Sequence, residues 1–420
     1  MTISQASLDG GIRVVCDRMD SVESVSIGVW VNAGARNEDA SNNGVSHLLE
    51  HMAFRGTSQR SSVEIATEIE NVGGHLNAYT SRETTVYYAT VLKENVDLAL
   101  DIISDIVLNS TFDEEELDRE RGVVLQEIGQ ANDTPDDIIF DLFQETAYPD
   151  QPLGRPILGT VDTVREISRQ TLVEYISSQY GGNRMVIAAA GNLDPEDLFL
   201  RSQKLFAGVS ASSASRPPAG EYHGGYLRDN RDLEQAHLVM GFNGIGFGDD
   251  DYYPLAVLST ALGGGMSSRL FQEIREKRGL VYSIYTFSSA FTDGGIFGLY
   301  AGTAEEKIHE LVSAASGELR RIAEDPMEDC ELARSRAQIK AGVLMSLEST
   351  SSRAERLARH LITHDRIISV EEISRRIDAV SAEDIRRVAG RLLGSAPTVT
   401  AIGPVGDMPD YDTVKVLLNG

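Results

Sequence analysis

Residues 170–193 read QTLVEYISSQYGGNRMVIAAAGNL, and residues 382–405 read AEDIRRVAGRLLGSAPTVTAIGPV. Each passage opens with helical periodicity, Gln170–Tyr180 in one and Ala382–Leu393 in the other. Each then enters an apolar strand, Met185–Ala190 or Thr398–Ile402, and stops at a glycine and a turn, Gly191-Asn192-Leu193 or Gly403-Pro404-Val405. The two glycines are 212 residues apart (403 − 191), half of a 420-residue chain. A chain that closes twice in the same way reads as two copies of one unit.

The echo continues upstream. Helix-like Val63–Asn71 meets Gly73-Gly74, a strand pair runs through His75–Leu92, and an amphipathic stretch follows from Lys93 to Leu108. In the second half, helix-like Ser268–Lys277 meets Gly279, strands Val281–Ala290 and Gly294–Ala301 follow, and a helix runs through Glu305–Ile322. Between the halves, residues 208–220, GVSASSASRPPAG, have no periodic apolar positions and read as a linker. The expected organisation is therefore a first domain over 1–207, the linker, and a homologous second domain over 221–420. Val25, Ile27, Val29 and Val31 take every second position, as in a half-buried antiparallel strand. Runs of strands followed by runs of helices give an α+β class, with a mostly antiparallel sheet packed with helices in each domain.

Composition narrows the function classes. With 38 Lys+Arg against 64 Asp+Glu, the net charge of −26 argues against nucleic-acid binding, which needs basic patches. Such a surface can draw basic peptides into an acidic cavity, or simply keep the protein in solution. The longest strongly apolar run, around Met185–Ala190, is too short to span a bilayer, so no membrane insertion is expected. Met1-Thr2-Ile3-Ser4-Gln5 lacks the features of a secretory signal, and Cys16 and Cys330 make no disulfide framework. A reduced, cytoplasmic compartment is the expectation.

The chemistry concentrates in residues 44–56, GVSHLLEHMAFRG, a helical stretch that Gly56 should stop. With His47 at 0° on a helical wheel, His51 falls near ~40° and Glu50 near ~300°, all within an arc of about 100°. Two imidazoles can then reach one zinc ion while a carboxylate lies beside it to take a proton from water. A satisfied core histidine and a solvated Glu-His face would produce the same spacing. A third ligand must come from elsewhere. The acidic helix after Asp113 carries Glu120 and Glu127, which face the same way within about 20°. Glu127 sits among Val124, Leu125 and Ile128, where a carboxylate needs a partner such as a metal. By spacing alone, an ordinary surface acid in an acid-rich segment explains it better.

At these residues the sequence resembles the pitrilysin and insulin-degrading-enzyme family of inverted zinc metallopeptidases. It is most similar to the two-domain branch of bacterial processing peptidases and the mitochondrial processing peptidase. GVSHLLEHMAFRGT carries the inverted H-x-x-E-H spacing, and ERGVVLQE, Glu120 to Glu127, carries the downstream pair of glutamates. The resemblance implies one zinc ion per chain held by His47, His51 and Glu127, with Glu50 as general base and Glu120 in support. GGHLNAYTSRETTVYYA, Gly73 to Ala89, resembles the family's substrate-binding edge strand, which would place Asn77 and Ala78 along a bound peptide. An ordinary strand packed through Leu76 and Tyr79 is the alternative. SSRLFQEIREKRGLVYSIY carries Arg275 and Tyr282, which in the family contact the substrate backbone; by spacing they would be a solvated helix end and a strand core residue. LGGGM, Leu262–Met266, resembles the family's glycine-rich loop, though a turn before a helix explains it equally well.

The likeness covers nearly the whole chain, and it implies hydrolysis of extended or presequence-like peptides. Because one subunit's Arg/Tyr pair completes its partner's zinc site in two-domain relatives, a homodimer is expected, or a heterodimer with a related subunit. The rival is a non-catalytic scaffold or partner subunit, as in family members that lack the zinc residues.

Overall fold

The computed structural model describes Thr2–Asn419. Met1, from the N-terminal stretch above, and Gly420, at the end of the expected second domain, lie outside the described residues. The strands are β1 (Thr2–Ser7), β2 (Arg13–Arg18), β3 (Ser24–Val31), β4 (His75–Thr80), β5 (Thr85–Leu92), β6 (Met185–Gly191), β7 (Gly225–Asn230), β8 (Ala236–Asn243), β9 (Val281–Ala290), β10 (Gly295–Thr303) and β11 (Thr398–Gly403). They form two sheets, β1-β2-β6-β3-β5-β4 and β7-β11-β8-β10-β9. In both sheets every pairing is antiparallel except one, β2 with β6 and β7 with β11. Apart from β1, the two orders match strand for strand. The fold is α+β, and the duplication read from residues 170–193 and 382–405 runs through both sheets.

The helices do not divide at mid-chain. One compact unit contains residues 1–130, 155–218 and 345–367; the other contains 131–154, 219–344 and 368–420. Each half thus gives one helix to the other half's sheet. Thr350–His364 packs on β6, β3 and β2, whereas Pro135–Ala147 packs on β11, β8 and β7.

This exchange corrects the reading of β3. Val25, Ile27, Val29 and Val31 do face the main core of the first unit. The opposite face is not solvated, because Trp30 packs with Ala354, Leu357 and Ala358 of the donated helix. Period-two alternation survives on β3, but both faces are buried. Two further local features depart from expectation. Phe271–Lys277 winds as a π-helix rather than an α-helix. Residues 208–220 have no regular structure yet are pinned, since Arg184 Nη2 donates to the carbonyls of Ala214 and Ser215 and Arg36 Nη2 donates to that of Pro218.

In the first unit, β4 is an edge strand, paired only with β5. The helix Val45–Ala53 packs beside it and against the helix Arg169–Gln179. A sheet edge and a histidine-bearing helix are thereby set side by side.

Candidate metal centre

The helix Val45–Ala53 begins at Gly44, whose φ of 96° is a backbone state natural to glycine. A Cβ at this position would also meet the Leu158 carbonyl at 2.8 Å. The free amides of the first turn are met by a buried acid. Glu38 accepts from the backbone N–H groups of Gly44 and Ser46 and from Asn43 Nδ2, each at 2.8 Å. Tyr175 fixes the same turn by accepting from Ser46 Oγ at 2.8 Å. The helix ends at Ala53, sooner than Gly56 suggested, with Phe54 as its C-cap.

One helical turn separates His47 from His51, whose ring centroids lie 4.7 Å apart. The helix Glu114–Asn132 crosses beside them and supplies both glutamates. Glu127 Oε2 lies 3.7 Å from His47 Nε2 and 3.6 Å from His51 Nε2. Glu120 Oε2 bonds His51 Nδ1 at 2.9 Å, and its other oxygen accepts from Arg55 Nη2 at 2.7 Å. The two acids differ in burial. The Glu120 side chain is 4% exposed and that of Glu127 38%. The reason is the stripe: Leu117, Glu120, Val124 and Ile128 form the buried face of this helix, and Glu127 lies at its margin. Glu127 therefore reaches the two imidazoles from a partly solvated position.

Zinc–nitrogen bonds of about 2.0–2.1 Å in tetrahedral geometry put neighbouring ligand atoms about 3.4 Å apart. The three atoms here, all within 4.8 Å of one another, match that spacing and the imidazole–carboxylate donor set of zinc. Among the described residues they form the one cluster of its kind. Burial, and then the neighbouring His51, push the His47 pKa down to about 4, which keeps its imidazole neutral and able to ligate. Glu120 fixes the orientation of His51, whereas His47 Nδ1 is buried without a protein partner.

Glu50 lies on the same helix face. Its carboxyl is pushed above the usual range, chiefly by burial and further by Glu127, while a bond from Thr80 works against the shift. That bond joins Thr80 Oγ1 to Glu50 Oε2 at 2.6 Å. Asn77 and Ala78 stand on the edge strand, where Asn77 Oδ1 accepts from the Ala78 N–H at 2.8 Å. Arg275 and Tyr282 belong to the second unit, with the guanidinium 5.1 Å from the Tyr282 ring centroid and 4.6 Å from that of Phe271. Tyr282 is 80% exposed, so it is no core residue.

Residues 13–161 match the profile of the Insulinase (Peptidase family M16) domain, and residues 166–339 that of the Peptidase M16 inactive domain. An uncharacterized zinc protease of Streptomyces coelicolor is 38% identical over 97% of this chain and 90% of its own length. The chain belongs to peptidase family M16. An uncharacterized zinc protease of Bacillus subtilis is also 38% identical, over 97% of this chain and all of its own length. A protease from Helicobacter pylori shares the fold with a TM-score of 0.89 at 21% identity, covering 96% of this chain and 99% of that one. A chain of complex III2 from Candida albicans shares it with a TM-score of 0.87 at 20% identity, covering 99% of each.

In this M16 chain the structure brings together His47, Glu50, His51, Glu120 and Glu127, from two helices about seventy residues apart in sequence. Sequence reading missed three residues that hold them: Glu38, Arg55 and Thr80. For Thr80 a signal existed, because alternation along β4 puts it on the same face as Ala78.

Proposed function

We propose that this chain is a zinc metalloendopeptidase that hydrolyses extended peptides, with His47, His51 and Glu127 holding one zinc ion. The observation that carries this reading is the approach of Glu127 Oε2 to His47 Nε2 at 3.7 Å and to His51 Nε2 at 3.6 Å, beside the Glu50 carboxylate. The zinc-protease names of the Streptomyces and Bacillus relatives support it.

A bound zinc supplies Lewis acidity toward a peptide carbonyl and acidifies water. The protein's own groups do the rest. Glu50 accepts the proton of the attacking water on Oε1, the oxygen that Thr80 does not hold. As the water oxygen bonds to the carbonyl carbon and the carbon–nitrogen bond breaks, that proton passes to the leaving amine. The free edge of β4, at Asn77 and Ala78, pairs with the peptide main chain, which suits a hydrolase acting on varied sequences. Arg275 and Tyr282 contact the substrate backbone, and the working form is a homodimer. No helix among the described residues is long and apolar enough to cross a membrane, and Cys16 and Cys330 are free, which supports a reducing cytoplasmic setting.

The test combines metal analysis with cleavage of a mixed peptide library. The expected result is one zinc per chain, cleavage abolished by chelation, and recovery on adding zinc back. Undiminished cleavage by exhaustively chelated protein would overturn the reading.

A further inference from the structure

On the opposite face of β4 from Glu50, a cavity of about 350 Å³ opens in the first unit. The pairing register places Trp30 of β3, Val86 of β5 and Tyr79 of β4 in one row, with Gly28, Tyr88 and Asn77 in the next-but-one. These residues therefore point to one face of the sheet. The donated helix Thr350–His364 closes the cavity with Ala354 and Glu355. Gly28 is part of the design, because a Cβ there would meet Tyr88 Cβ at 2.8 Å and Trp30 Cζ3 at 2.9 Å.

We propose that this cavity takes a cationic side chain, arginine or lysine, of a peptide added to the free edge of β4. The walls are aromatic: Trp30, Tyr79 and Tyr88, with the two tyrosine rings edge-to-face at 6.3 Å. Aromatic faces attract cations, and tryptophan does so best. The polar group is one carboxylate. Glu355 Oε2 accepts from Trp30 Nε1 at 2.8 Å and from Tyr79 Oη at 2.9 Å. Both bonds fall on one oxygen, so Oε1 keeps its capacity to accept from a ligand. Among the described residues no cation pairs with Glu355. Arg359, one helical turn further on, lies close enough to act on Tyr79 yet makes no bond to Glu355.

Geometry ties the cavity to the candidate metal centre. Tyr79 and Thr80 are consecutive on β4, so Tyr79 faces the cavity while Thr80 holds Glu50 on the other face. An added peptide strand sends alternate side chains to the two faces. One residue of the peptide would then lie on the Glu50 side while its neighbour enters the aromatic cavity. An anionic or purely apolar side chain fits the cavity less well, because it would leave the Glu355 carboxylate without a counter-charge.

The choice of a peptide as ligand rests on the peptidase reading; the cavity's preference for charge can be tested without cleavage. Trp30 is the only tryptophan in the chain, so its fluorescence reports from the cavity wall itself. The probes are a blocked decapeptide of serine, alanine and threonine with one central arginine, and the same peptide with citrulline, which has the same shape but no charge. Zinc-loaded full-length Glu50→Gln protein is titrated with each. The expected result is a saturable change in Trp30 emission, with the arginine peptide bound at least tenfold more tightly. Adding Glu355→Gln, whose amide oxygen still accepts from Trp30 and Tyr79, should bring the ratio near one, and Tyr79→Ala should reduce it. Equal affinities in the first protein, or a preference for arginine that survives Glu355→Gln, would overturn the proposal. Hydrolysis of the citrulline peptide by the unmutated chain reports separately on the peptidase reading.

Discussion

Thr80 Oγ1 donates to Glu50 Oε2 at 2.6 Å, so the edge strand that would receive a peptide also holds the acid that would activate water. Binding and proton transfer share one strand. A shift of β4 by one residue would turn Thr80 to the other face and release Glu50.

Thr80→Val keeps the shape of the side chain and removes the bond. A hydrogen bond to a charged group contributes about 1.5–3 kcal/mol, so kcat should fall by roughly tenfold to a hundredfold. Zinc content should not change, since Thr80 touches no proposed ligand. The bond holds the Glu50 pKa down against burial, so its loss should move the acidic limb of the kcat/KM profile to higher pH. An unmoved profile with unchanged kcat would remove Thr80 from this role.

The metal-free protein should lose stability in mild acid through His47. Unfolded, the imidazole titrates at its ordinary 6.5; folded, burial brings it to about 4. Between these values the unfolded chain binds more protons, so stability rises with pH across this window and is lost as pH falls toward 4. The shift corresponds to roughly 3 kcal/mol. Glu38 acts oppositely, because burial pushes its carboxyl up to about 7 and its contribution is lost as pH rises from 4.5. The unmutated profile sums the two. His47→Leu isolates the histidine, and chelated variant protein should lose less stability between pH 6.5 and 4 in denaturant titrations.

Much of this arrangement was legible in the chain. The helix–strand–glycine passages ending at Gly191 and Gly403 set the duplication, because a strand and its turn leave a local signature. His47, Glu50 and His51 share a face through helical spacing alone. What could not be read was which sheet each amphipathic helix would cover. The apolar stripe of Thr350–His364 does not say that its partners are Val15, Trp30 and Val186 of the first unit, rather than its own half. The same limit hid Glu38 and Thr80, which act on the motif helix through bonds spanning 6 to 30 residues. Glu127 does stand among Val124, Leu125 and Ile128, but the packed stripe turns Glu120 inward, and neighbouring apolar letters do not say which acid that will be.

Glu120→Gln should weaken the metal centre without emptying it. The glutamine can still bond His51 Nδ1 but carries no charge for Arg55, whose guanidinium now meets Glu120 Oε1 at 2.7 Å. Supporting residues of this kind typically alter metal affinity by about tenfold to a hundredfold. Competition with a calibrated zinc chelator measures the change. Affinity equal to that of the unmutated chain would reduce Glu120 to a packing role.

Arg275 and Tyr282 make the remaining prediction. The guanidinium lies over the Tyr282 ring at 5.1 Å and the Phe271 ring at 4.6 Å, on a π-helical turn that leads into β9. Exposed cation–π contacts contribute only about 0.5–1 kcal/mol, so Arg275→Ala should lower Tm little. A group that grips the substrate main chain should instead raise KM, by about tenfold, with zinc retained. Arg275→Lys should rescue poorly, because an ammonium cannot reproduce a planar, stacked fork of donors. Unaltered peptide kinetics in Arg275→Ala would show that the pair is only a surface contact, and the substrate role would then fall to the first unit alone.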